Sequence, residues 1–314
     1  MNWEQARALL QLRRPGRRGD TGDTGGARGP GRSGRSGRSG KGPVRTRASS
    51  LCVVSGKGGT GKSLVAASLA TLLSRHGRTL VVDADLGVAN AHILQDVTPE
   101  HSFVDVVEGR RAVEEIVAPV SENLDLLAGG SGFSRVAGLS PLELHLIASG
   151  LDRLELEYRS LVVDSAAGIS PQTVAFAAAS DVVLLVTTPD LTAMTDAYAF
   201  LKVFLRRKPN ADPMLVVNRA TDAEEAHHCA ERIMDVAGKF LGREPRWIAS
   251  LPEDRAAFRS TQRRRPVVTS EPRSALALAL EELAQDVLQE FDRCPPLGVG
   301  HTLLRRVAYT PKLA

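Results

Sequence analysis

The sequence predicts an α/β fold: a mostly parallel sheet of seven to eight strands, helices on both faces, and a phosphate-binding loop on the rim. Three observations carry this. Short apolar runs alternate with amphipathic helical stretches from Leu51 to about Asp292, the pattern of strands buried on both faces and joined by crossover helices. The run Ser55-Gly56-Lys57-Gly58-Gly59-Thr60-Gly61-Lys62-Ser63 lies between the first strand and the first helix. Aspartates close two later strands, Asp83 and Asp85 after Thr79-Leu80-Val81-Val82 and Asp164 after Leu161-Val162-Val163.

In chain order, strands are expected at 51–55, 79–84, 124–128, 160–164, 182–187, 214–218 and 246–250. Helices are expected at 62–75, 141–157, 171–179, 192–207, 222–241 and 274–291. The first of these carries Leu64, Leu69, Leu72 and Leu73 at helical spacing. Right-handed crossovers place the strand ends on one rim, so the aspartates should converge on the loop.

Gly56, Gly61, Lys62 and Ser63 complete the spacing G-x-x-x-x-G-K-[ST]. Without side chains in the way, the backbone N–H groups of Gly56, Gly58, Gly59, Thr60 and Gly61 can curl around an anion. Lys62 can reach the β- and γ-phosphates of ATP, Ser63 can offer its hydroxyl to Mg²⁺, and the helix adds its positive dipole end. Of the strand-end carboxylates, one can hold Mg²⁺ through water and another can orient the water that attacks the γ-phosphate. Alone, each aspartate reads equally as a cap or turn former. The same loop also satisfies G-x-G-x-x-G with an acidic pair downstream, so an NAD(P)-binding oxidoreductase is the alternative. Against it stand Lys62-Ser63, the unexplained Asp164 and the lack of a hydride-transfer partner.

Composition divides the 314 residues unevenly. Residues 13–47 hold 11 Arg or Lys against Asp20 and Asp23, 11 glycines and the repeat Arg-Ser-Gly-Arg-Ser-Gly-Arg-Ser-Gly. That segment carries 11 − 2 = +9, so the rest of the +4 chain is near −5. It lacks the apolar surface to offset ordering entropy, which predicts a disordered linker over 13–49. No aromatic residue interleaves it to stack on bases, which argues against specific nucleic-acid recognition. Ahead of it, residues 1–12 form a short helical stretch with Trp3, Ala6, Leu9 and Leu10 along one side. Too short to be stable alone, it is expected to dock on this protein or on a partner. It has no basic leader, continuous apolar core or cleavage site, and is not read as a signal peptide.

Cys52, Cys229 and Cys294 are odd in number and unpaired by spacing, as in a reducing cytoplasm. Cys52 is expected in the core. His227-His228-Cys229 cannot share one metal ion, because helix neighbours point about 100° apart. No apolar run is long enough to span a membrane.

Lys57 is the discriminating residue, since an ordinary phosphate loop needs no second lysine before Lys62. Gly56-Lys57-Gly58-Gly59-Thr60-Gly61-Lys62-Ser63 resembles the deviant Walker A motif of the MinD/ParA ATPases. That resemblance implies an ATP-bound homodimer in which Lys57 reaches the partner subunit's phosphates. It implies Asp85 in switch I near the attacking water, and Asp164 in the switch II segment Asp164-Ser165-Ala166-Ala167-Gly168. It also implies that Asn218-Arg219 and Pro252-Glu253 line the adenine pocket.

Asp83-Ala84-Asp85-Leu86-Gly87-Val88-Ala89-Asn90, Gly129-Gly130-Ser131-Gly132, Ala167-Gly168-Ile169-Ser170 and the stretch from Thr187 to Tyr198 resemble the flagellar-number branch, FlhG (FleN/YlxH). The likeness runs from about Leu51 to Leu288. Members of that branch begin with an Asp-Gln-Ala-x-x-Leu-Arg helix that stimulates the signal-recognition-type GTPase FlhF. Glu4-Gln5-Ala6-Arg7-Ala8-Leu9-Leu10 is similar, with Gln5 the implied activating residue. Glu4 replaces the aspartate, and Leu10 replaces the arginine and removes a charge-assisted donor. Flagellar switch components are further implied partners. Residues 293–314 are expected as a tail in which Thr302 to Tyr309 forms two turns with basic and apolar sides. The resemblance implies contact with the inner face of the membrane in the ATP state; a frayed end is the alternative.

Overall fold

The computed structural model describes residues 47–87, 89–130 and 139–308, with side chains through 305. Outside these lie the expected helix of residues 1–12 with Gln5, the expected linker as far as residue 46, Val88, residues 131–138 with Ser131-Gly132, and the residues beyond 308.

The strands are β1 (Ser49–Val54), β2 (Thr79–Ala84), β3 (Val117–Ser121), β4 (Leu124–Leu127), β5 (Ser160–Ser165), β6 (Val182–Thr187), β7 (Met214–Ala220) and β8 (Arg246–Pro252). They form one sheet in the order β3-β4-β2-β5-β1-β6-β7-β8. All neighbours are parallel except β3 and β4. The sequence reading missed β3. It is half exposed and holds Pro119 on the outermost position of the sheet, where a missing N–H costs no ladder bond.

The central strands are apolar throughout because both faces are covered. Cys52, Val54, Leu80, Val82, Leu161, Val163, Leu185 and Val217 face one core cluster, and Leu51, Val53, Val81, Val162, Leu184 and Val216 face the other. This is the period of two expected of a pleated sheet. The helices are α1 (Lys62–Leu73), α2 (Ala91–Leu94), α3 (Phe103–Val107), α4 (Pro141–Leu154), α5 (Pro171–Ala179), α6 (Leu191–Arg207), α7 (Ala223–Leu241), α8 (Arg255–Gln262), α9 (Val267–Ser270), α10 (Ala275–Arg293) and α11 (Val299–Ala308). Side-chain oxygens cap many starts, including Ser140 on α4, Ser170 on α5, Asp190 on α6 and Asp222 on α7.

Two expected boundaries move. Before β1, Arg47 is tied to Asp152 (2.6 Å) and Glu155 (3.1 Å), so residues 47–49, inside the expected linker, belong to the α/β body. At the other end, α11 begins three residues earlier than the expected 302, with Val299 and Leu303 buried in the core. Residues 299–305 therefore lie on the α/β body, against α4, rather than in a separate tail. Gly300 allows the close approach: a Cβ there would meet the backbone of Ala148 (2.6 Å).

Candidate nucleotide site

The loop leaves β1 at Ser55 and enters α1 at Lys62, and geometry demands glycine at two of its positions, Gly56 and Gly61. Gly61 has φ +87°, and a Cβ on it would collide with the Asn218 side chain; one on Gly56 would collide with the backbone of Asp196. Asn218, at the end of β7, donates Nδ2–H to the Thr60 carbonyl at 2.7 Å and pins the loop from the neighbouring strand. Gly168 donates its N–H to the Ser55 carbonyl (2.9 Å), tying the segment after β5 to the start of the loop.

Lys62 lies in the cradle. Its Nζ bonds Asp164 Oδ1 at 2.6 Å, with both side chains almost fully buried, and it reaches Ser63 Oγ at 3.4 Å. Burying such a pair costs several kcal/mol of desolvation per ion, which the close contact must offset. Asp83 stands beside Asp164 in the register of β2 on β5. It is buried and accepts from Asp85 N (3.1 Å) and Ala91 N (3.0 Å). Burial pushes its carboxyl up to about 7, reinforced by the Asp164 charge and opposed by those two amides. Asp83 was expected to face the rim; it faces inward and holds the 85–91 segment in place. Asp85 sits past the strand end and accepts from Gly87 N (3.2 Å).

Lys57 goes elsewhere. Its Nζ bonds Asp190 Oδ2 at 2.7 Å and also Thr192 Oγ1, on a rim where both charged side chains are roughly half exposed (40% and 50%). The Lys57 ammonium and the Thr192 donors hold the Asp190 carboxyl down at about 2. Lys57, Gly58, Gly59 and Thr60 wall one side of an open cleft of about 510 Å³, with Arg219 and Glu253 opposite. Arg219 and Glu253 pair at 3.3 Å, and Pro252 ends β8 beside them. Sequence reasoning gave no role to Asp190, Thr188, Thr221 or Glu225, which also line the cleft. Asp190 was detectable as the helix start after the strand next to β1, once that adjacency is known.

The residues fit a nucleotide phosphate and Mg²⁺. The backbone is free of side chains where an anion must approach, Thr60 Oγ1 is buried with no partner among the described residues, and Ser63 and Asp164 supply the hard oxygens that Mg²⁺ prefers. Residues 51–267 match the CobQ/CobB/MinD/ParA nucleotide binding domain. The chain belongs to the MinD/ParA family.

Its relatives narrow the branch. This MinD/ParA chain is 32% identical over 238 residues to the antiactivator FleN of Pseudomonas aeruginosa, covering 76% of this chain and 85% of FleN. It is 30% identical over 239 residues to the flagellum site-determining protein YlxH of Helicobacter pylori, covering 74% and 80%. Among solved structures, the cell division ATPase MinD of Pyrococcus furiosus matches with a TM-score of 0.65 at 28% identity over 77% of this chain and 99% of that one. The septum site-determining protein MinD of Pyrococcus horikoshii OT3, complexed with Mg-ADP, matches with the same score and identity over 76% and 96%. The protein is a P-loop ATPase using ATP and Mg²⁺, which sets aside the dinucleotide alternative. Mg²⁺ supplies charge neutralisation at the phosphate oxygens. Among the chain's own residues, the loop amides of Gly58 to Lys62 and the Lys62 ammonium are the groups suited to hold phosphates. No metal cluster forms at His227-His228-Cys229 among the described residues; His227 pairs instead with Glu231 (3.1 Å).

Proposed function

We propose that ATP and Mg²⁺ close two copies of this ATPase into a dimer, that hydrolysis reopens it, and that the cycle sets flagellar number or placement. The observation that carries the dimer is the position of Lys57. Lys62 already fills the cradle, while the Lys57 ammonium stands on the outer rim, held only by exposed groups. A second loop lysine in that place is positioned to reach a neighbouring subunit's phosphates. In this reading Asp85 orients the attacking water, Ser63 and Asp164 hold Mg²⁺, and Asn218, Arg219, Pro252 and Glu253 border the base.

The flagellar role rests on likeness to FleN and YlxH. The leader of residues 1–12 would stimulate an FlhF-type GTPase through Gln5, with flagellar switch components as further partners. The chain acts in the cytoplasm, and its dimer attaches to the anionic inner surface of the membrane through residues 299–309. Among the described residues no helix is long and apolar enough to cross a membrane. Because Val299 and Leu303 are buried, surface attachment through them requires α11 to leave α4.

The test is GTP turnover by an FlhF-type GTPase from the same organism, with the full chain and with its Gln5→Ala variant. Stimulation by the unmodified chain, lost in the variant, is expected. No stimulation by the unmodified chain would contradict the leader's role and leave an ATPase that positions another cargo, such as a division site or chromosome.

A further inference from the structure

The first turns of α6 and the middle of α7 leave a groove between them, separate from the cleft against the phosphate loop. Leu191, Met194 and Tyr198 line one wall, and Ile233 and Val236 the other, enclosing about 450 Å³. Its surface is mostly apolar, yet Leu191 is 67% exposed and Val236 39%. On its lip stand Arg232 and Asp235, which form no ion pair among the described residues. An open apolar groove with two unpaired opposite charges is suited to an amphipathic helix that carries complementary charges.

The chain itself carries a segment with the spacing of such a helix. At helical spacing, residues 1–12 would put Trp3, Ala6, Leu9 and Leu10 along one side, with Arg7 at its edge. At about 100° per residue Arg7 falls at the edge of that side and Glu4 on the far side, so a helix seated on its apolar side can set Arg7 against Asp235 on the lip while Glu4 faces solvent. Reach is not limiting. Residues 13–46 number 34 and span up to about 110 Å when extended, whereas a body of this size has a radius of gyration of about 18 Å. A tether of this kind holds its end at an effective concentration on the order of 1 mM, so a helix that binds with Kd of only ~0.1 mM is docked about 90% of the time.

We propose that residues 3–12 dock as a helix in the α6/α7 groove of their own subunit, with Trp3 on its apolar floor. The proposal stands apart from the GTPase reading. If that reading also holds, docking hides Gln5, and any partner must draw the leader out of the groove.

Trp3 is a built-in reporter. The other tryptophan, Trp247, is buried and bonds the Ala249 carbonyl (3.1 Å), and its background is measured in Trp3→Phe. Acrylamide quenching of Trp3 in the full chain is compared with that in Val236→Glu, which changes an exposed groove position, with ATP binding as the check on folding. The expected result is a Trp3 quenching constant roughly threefold or more smaller in the unmodified chain than in Val236→Glu, at every dilution. Three results would overturn it: free quenching of Trp3 in the unmodified chain, shielding that disappears on dilution, which assigns the groove to a second copy, or shielding untouched by Val236→Glu, which places the leader elsewhere.

Discussion

Lys57 and Lys62 are five residues apart in one loop and live in opposite environments. Lys62 is buried against Asp164, and Lys57 is half exposed against Asp190. Asp190 has a second duty, because its Oδ1 accepts from Thr192 N at 3.1 Å and caps α6. An exposed ion pair stabilises by at most about 1 kcal/mol, and loss of a cap costs about 1 kcal/mol. Asp190→Ala should therefore lower the urea midpoint of unfolding, chiefly through loss of the α6 cap, while leaving the loop folded. Asp85 is expected to act on hydrolysis alone. In Asp85→Ala, ATP should still bind but turn over at least tenfold more slowly, an increase of about 1.4 kcal/mol in barrier, as read by phosphate release. Unchanged turnover would mean that another group orients the water.

At the scale of elements, the joint between α4 and α11 is built on a buried carboxylate. Glu155 Oε1 accepts from Gly300 N at 2.5 Å, in the first turn of α11, and Oε2 meets Arg47. Burial pushes this carboxyl up from 4.5 to about 7, against the pull of the Gly300 amide and Arg47. With the folded pKa raised, the folded chain keeps a proton that the unfolded chain has released. Its contribution is thus fully present below about 4.5 and is lost as pH rises to about 7. Glu155→Gln should remove that slope from a series of thermal melts between those limits. The same joint marks the bounds of sequence reading. The strands and main helices were legible because buried strands are continuously apolar and helices repeat at 3.6. The moved start of α11 was not, because its Val299 and Leu303 take meaning only from α4. Nor was β3, whose half-exposed residues and Pro119 carry no buried-strand signal.

For the molecule as a whole, the phosphate loop could be read residue by residue, since Gly56, Gly61, Lys62 and Ser63 act locally. The contacts that complete the site were hidden because they depend on strand order. Asp190 meets Lys57 because β6 lies next to β1, and Asn218 reaches Thr60 from β7, one strand further out. The central claim is that Lys57 is turned outward to close an ATP-dependent dimer. Light scattering of the full chain with Mg-ATP, with Mg-ADP, and of Lys57→Ala with Mg-ATP tests it most directly. The account predicts a doubled mass only for the unmodified chain with ATP, with nucleotide binding retained in the variant. A monomer under all three conditions, or a Lys57→Ala chain that doubles as readily, would contradict it.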